Sequence, residues 1–130
     1  MYVKTGQLKL VFRHVLDLGP GSELGSQAAE CAGDQGMFWA MHHLLYERQG
    51  QMYNADPKTP KAFAQELKLN SERFNSCLDS KKHLAKVQAQ DAARRAAGIR
   101  IRPTFEVNGQ RLPGALEFAA FQQVIEKALK

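Results

Sequence analysis

The hydrophobic positions of this chain switch period along its length. Leu8, Leu10 and Phe12 alternate with Lys9, Val11 and Arg13, the period of two that marks a strand, and the apolar Val11 makes its second face partly buried too. Ahead of it, Tyr2 to Thr5 with Gly6 reads as the last turn of a helix and its glycine stop. After Gly19, Pro20 and Gly21, Ser22 is the expected cap of a small-residue helix through Ala28, Ala29, Cys31 and Ala32, interrupted by Gly33 and Gly36. Met37, Phe38, Met41, Leu44 and Leu45 then recur at helical spacing, flanked by Trp39, His42 and Tyr46, as far as Gly50.

Two short helices follow, one carrying Phe63, Ala64 and Leu67, the next starting at Ser71 and carrying Phe74, Cys77 and Leu78. A longer one is expected from about Ser80 to Ala97, stopped by Gly98. Its Leu84, Val87 and alanines 92, 93, 96 and 97 form a smooth face suited to close packing. The period then returns to two: Phe105 and Val107 alternate with polar neighbours, Asn108-Gly109 supplies the positive φ angles of a tight turn, and Gln110 to Pro113 runs back. From Leu116 the residues Phe118, Phe121, Val124, Ile125 and Leu129 describe a closing amphipathic helix. The order is strand, helical block, hairpin, helix, with no internal repeat.

Length and composition fit one globular domain, α/β by the element order above: 130 residues, 44% hydrophobic and 24% charged. No apolar run approaches the twenty or so residues of a membrane helix, and the first ten residues carry no secretory signal pattern. The net charge of +5 is spread thinly. Its densest stretch, Lys81, Lys82, Lys86, Arg94, Arg95, Arg100 and Arg102, has no interleaved aromatic residue, so it reads as a solvated helix face and not as a nucleic-acid or membrane surface. His14, His42, His43 and His83 lack zinc-finger spacing and read as core or surface histidines, so neither a metal nor a cofactor is expected.

Several segments share one resemblance. Tyr2-Val3-Lys4-Thr5-Gly6 before the strand Leu8 to His14, Gln27-Ala28-Ala29-Glu30-Cys31-Ala32 leading into Gln35-Gly36-Met37-Phe38-Trp39, Phe74 to Ser80, Arg102-Pro103-Thr104-Phe105 and Val107-Asn108-Gly109 together resemble DsbA-like thiol:disulfide oxidoreductases of the thioredoxin superfamily. The resemblance implies a thioredoxin-like fold in which about 20–80 form an inserted helical subdomain, with 1–19 and 81–130 as the core. It also implies a cis Pro103, with Arg102, Pro103 and Thr104 contacting an extended peptide or protein substrate. Arg102 departs from the small residue common before that proline in relatives. By the same resemblance Cys31 and Cys77 form a structural disulfide, the favoured reading ahead of two inert buried thiols and, last, a redox-active pair.

Family members carry a Cys-x-x-Cys at the start of a helix, where the helix N-terminus makes the first thiol a reactive thiolate. This chain has no Cys-x-x-Cys. The resemblance therefore implies an incomplete, N-terminally truncated oxidoreductase domain missing the first strand and active-site helix, without catalytic residues of its own, whose complete parent works outside the cytoplasm. The missing strand would lie between Leu8–Arg13 and Thr104–Val107, and about five buried side chains would go with it, worth about 7–15 kcal/mol. A rearranged sheet, a homodimer or a domain-swapped oligomer is the expected compensation. The alternative function is a non-catalytic peptide-binding module that uses the proline loop and exposed sheet edges. A third reading keeps the fold but gives it the chemistry of glutathione-using or isomerase relatives.

Overall fold

The computed structural model describes residues 1–130. Six α-helices and two strands appear in the order α1 (Pro20–Gly33), α2 (Phe38–Glu47), a 3-10 turn (Gln49–Met52), α3 (Lys58–Glu66), α4 (Ser71–Asp79), α5 (Leu84–Ala96), β1 (Thr104–Val107), β2 (Gln110–Pro113) and α6 (Phe118–Leu129). This is a mixed α/β chain compatible with an incomplete thioredoxin-like fold. It divides into two compact units, residues 13–93 and residues 1–12 with 94–130. The helical unit is wider than the span 20–80. His14 and Leu16 donate their backbone N–H groups to Gln90 Oε1 and Asp91 Oδ1, both at 2.9 Å, and this ties the segment before α1 to the middle of α5.

In the helical unit the apolar stripes of α1 to α4 meet in one core. Ala28, Ala32, Met41, Ala64 and Phe74 are fully buried there, with Ala29, Cys31, Phe63 and Leu78 nearly so. The small residues of α1 permit close approach. At Gly21 a Cβ would lie 2.5 Å from the Met52 carbonyl oxygen, so the glycine is retained despite its cost of about 1 kcal/mol in a helix. Helix α1 starts at Pro20 and is not capped by Ser22: Gly19 at φ 75° precedes it, and Ser22 Oγ instead accepts the Leu18 N–H at 3.1 Å. Proline is pre-set for the first helical position, where its missing N–H would have had no partner anyway. Asn70 caps α4, accepting from Arg73 N–H at 2.9 Å, and exchanges two further hydrogen bonds with the Gln35 side chain at 2.8 and 3.2 Å. The Gln35-Gly36 corner is thereby held against the start of α4.

Helix α5 corrects the expected alanine face. Its inward stripe is Val87 and Asp91, with Leu84 half-buried, whereas alanines 92, 93, 96 and 97 are exposed. The stripe facing inward is the one joined to the His14–Leu16 segment, and it does not extend to the alanines. The helix also starts at Leu84 and not Ser80, because Lys81 takes a positive φ of 55°.

In the other unit, β1 and β2 form a two-stranded antiparallel hairpin, with Thr104 opposite Pro113 and Val107 opposite Gln110. Asn108 at φ 47° and Gly109 at φ 87° make the tight turn, since both central residues need left-handed backbone. Phe105 meets Phe121 of α6 edge to face at 4.8 Å. Tyr2, Leu112 and Ile125 are its buried residues, and the Tyr2 hydroxyl donates to Glu126 Oε1 at 2.8 Å. The turn at Tyr2–Gly6 forms with Gly6 at φ 76°. The strand expected at Leu8–Arg13 does not: no ladder reaches it, and Leu10 and Val11 are about half exposed, at 53% and 52%. A period of two becomes a strand only beside a partner edge, and the sheet holds β1 and β2 alone. Ile101, Leu116, Phe118 and Leu129 of this unit are exposed as well.

Candidate functional site

Two places concentrate the chemistry that the sequence singled out. The first is the approach to β1. Arg102 and Pro103 are exposed, the peptide bond between them is cis, and Thr104 opens the strand with its hydroxyl donating to the Ile101 carbonyl. The Pro103 carbonyl accepts from Gly114 N–H at 2.8 Å and closes the hairpin base. The segment presents a guanidinium beside the exposed apolar side chains of Ile101 and Phe105. It holds no cysteine.

The second is the junction of α1 and α4. Cys31 and Cys77 are bonded to each other, with an S–S distance of 2.08 Å and Cα atoms 5.9 Å apart, and the chain holds no free cysteine. Asp34 lies beside the bridge, its Oδ2 3.7 Å from Cys77 Sγ, and takes Lys82 Nζ and His83 Nε2 at 2.8 Å each. Partial burial works against the charge on Asp34, yet the hydrogen bonds from Lys82 and His83 outweigh it and hold the carboxyl below its ordinary range. An open recess of about 360 Å³ reaches this cluster.

Sequence reasoning missed a third group. His14 is only 2% exposed, and its Nε2 meets Glu30 Oε1 at 2.8 Å, while Lys86 Nζ meets Glu30 Oε2 at 2.7 Å. Burial lowers the affinity of the His14 imidazole for a proton despite the carboxylate beside it. Desolvation also opposes ionisation of Glu30, but Lys86 and His14 overcome it and hold its carboxyl below the usual range. The arrangement is a neutral imidazole donating to a carboxylate whose charge Lys86 balances. Glu30 set among Ala28, Ala29, Cys31 and Ala32 was the available sign, since an acid on an otherwise buried helix face needs a partner. Lys82 and Lys86, read as part of a solvated face, turn out to pair with Asp34 at the end of α1 and Glu30 within it.

These shifts set a pH dependence with one sign. A histidine depressed in the folded state supports it fully above the ordinary value of 6.5. That support fades as pH falls from there, because the unfolded chain takes up the proton first. The lowered Glu30 and Asp34 withdraw theirs at pH below their ordinary carboxylate values. Urea midpoints are therefore expected to drop from pH 7.5 to 5.5 and again below about pH 4.5, with the first drop reduced in His14→Gln.

The thioredoxin family model matches residues 1–127. Among curated proteins, the chain is 32% identical over 123 residues to the Na(+)/H(+) antiporter NhaA 1 of Salinispora arenicola, covering 93% of this chain and 18% of that protein. It is 34% identical over 119 residues to the Na(+)/H(+) antiporter NhaA of Herminiimonas arsenicoxydans, covering 92% and 18%. Disulfide bond formation protein D of Bacillus subtilis is 25% identical over 135 residues, covering 99% of this chain and 60% of that protein. The chain thus spans less than a fifth of the length of these two antiporter relatives. No solved structure matches, and no helix is long and apolar enough to cross a membrane. A family match over residues 1–127, together with the disulfide-formation relative, places the chain in the thioredoxin superfamily, among its DsbA-like members.

Proposed function

We propose that this chain supplies the scaffold and the substrate-contacting loop of a DsbA-like thiol:disulfide oxidoreductase domain that acts on proteins outside the cytoplasm. In this reading Arg102, Pro103 and Thr104 hold an extended segment of the substrate, and these residues alone do not turn over disulfides. The observation that carries it is that the only two cysteines are bonded to each other and lie 46 positions apart. Exchange needs an accessible thiolate with a resolving thiol close by. Cys31 is only 1% exposed.

Insulin reduction by a dithiol tests this. The rate with the chain present is expected to equal that of the reductant alone. A rate that rises with chain concentration and is lost in Cys31→Ala would overturn it.

The exposed edges of a two-stranded sheet favour a second reading, a non-catalytic module that captures extended peptide by strand addition. Fluorescence anisotropy of a labelled extended peptide separates the two. Binding that persists in Arg102→Ala favours strand addition through the main chain, whereas binding lost in that variant favours the first reading, and the apolar side chains exposed in the same unit also support pairing with a second copy.

A further inference from the structure

We infer that reduction of the Cys31–Cys77 bridge converts the junction of α1, α4 and the start of α5 into a site for one thiophilic divalent cation of the Zn2+ class, with Cys31, Cys77, His83 and Asp34 as ligands. The Sγ atoms of both cysteines and a ring nitrogen of His83 all lie within 4.8 Å of one another. Asp34 Oδ2 adds a fourth donor, 2.8 Å from His83 Nε2 and 3.7 Å from Cys77 Sγ. Ligand bonds of about 2.0–2.3 Å in a tetrahedron separate donor atoms by about 3.3–3.8 Å. The present spacings bracket that range. The two sulfurs must move apart, which side-chain rotation allows between Cα atoms 5.9 Å apart, and Asp34 Oδ2, outside the cluster of three, must draw back from His83 Nε2.

The donor set is one that zinc sites use, two thiolates with an imidazole and a carboxylate. It is reached from solvent through the open recess, whose lining includes Cys31, Asp34, Cys77 and Lys82. Lys82, which now occupies Asp34, has its side chain 57% exposed and can leave without being stranded in the interior.

The chemistry balances with a dithiol as reductant. It delivers two electrons and two protons, opens the S–S bond to two thiols, and departs as its own disulfide. Cation binding then displaces two thiol protons to solvent as two metal–sulfur bonds form. Peroxide reverses the state: it takes two electrons from the thiolates, the S–S bond re-forms, the cation is released, and with two protons the peroxide becomes two waters. The same four residues would thus alternate between a covalent staple and a metal staple. This inference is independent of the peptide-binding role assigned to Arg102-Pro103.

Co2+ is the probe, added to the chain reduced and freed of reductant without air. One equivalent is expected to bind with thiolate-to-cobalt charge-transfer absorption and tetrahedral d–d bands, which Zn2+ abolishes, while the oxidised chain gives neither. His83→Ala and Asp34→Asn, which leave the bridge intact in the oxidised form, are each expected to weaken Co2+ binding by about tenfold or more, and Cys31→Ser with Cys77→Ser to remove the charge-transfer band. If the reduced chain loses helix by circular dichroism, Zn2+ is expected to restore it. Absence of the charge-transfer band, equal affinity in His83→Ala and Asp34→Asn, or an unfolded reduced chain that Zn2+ does not refold would each overturn the inference.

Discussion

Replacing Phe74 by alanine is expected to destabilise the helical unit by about 3–5 kcal/mol, read as a lowered urea midpoint by circular dichroism at pH 7.5. Phe74 has no solvent exposure and belongs to the core shared by α1, Met41 of α2, α3 and α4. Truncation removes most of an aromatic side chain from water-free surroundings and leaves a void. The alanines of the same core, Ala28, Ala32 and Ala64, have no atoms beyond Cβ that could rotate to fill that void. A typical domain has only about 5–15 kcal/mol in total, so the variant stands near the limit of folding. Tyr53→Ala, at a side chain 70% exposed, is expected to stay within about 0.5 kcal/mol. A loss below about 1 kcal/mol at Phe74 would mean that the helices do not pack around it as described.

Removing the bridge with Cys31→Ala and Cys77→Ala together is expected to cost about 4 kcal/mol, measured in the same way with a chelator present. The two residues are 46 positions apart. Closing a loop of that length removes conformations from the unfolded chain that it would otherwise regain on unfolding. Both sulfurs also sit in the core, with Cys31 1% and Cys77 9% exposed, and alanine fills less of that space. The double variant isolates the staple from the chemistry of free thiols. A midpoint shift worth less than 1 kcal/mol would indicate that the packing of α1 on α4, and not the covalent link, holds that junction.

The elements themselves were legible because local pattern and backbone chemistry are written residue by residue. The Asn108-Gly109 turn, the glycine stop at Gly98 and the spacing of Phe118, Phe121 and Ile125 each specify their geometry without reference to the rest of the chain. Leu8 to Arg13 carried an equally clear alternation, yet a strand is a relation between two segments and none pairs with this one. The alanines of α5 show the same limit, since periodicity says which residues share a face and not whether anything covers it.

By itself the sequence determined the helices, the hairpin, the DsbA-like family and the lack of a Cys-x-x-Cys, all of which depend on residue type and neighbours along the chain. Only the tertiary structure decided that His14 shares Glu30 with Lys86, and that Asp34, Lys82 and His83 gather beside the Cys31–Cys77 bridge. Those groups come from segments tens of residues apart. Whether a buried charge finds its counter-charge is settled by how the helices pack, which no spacing in the sequence encodes.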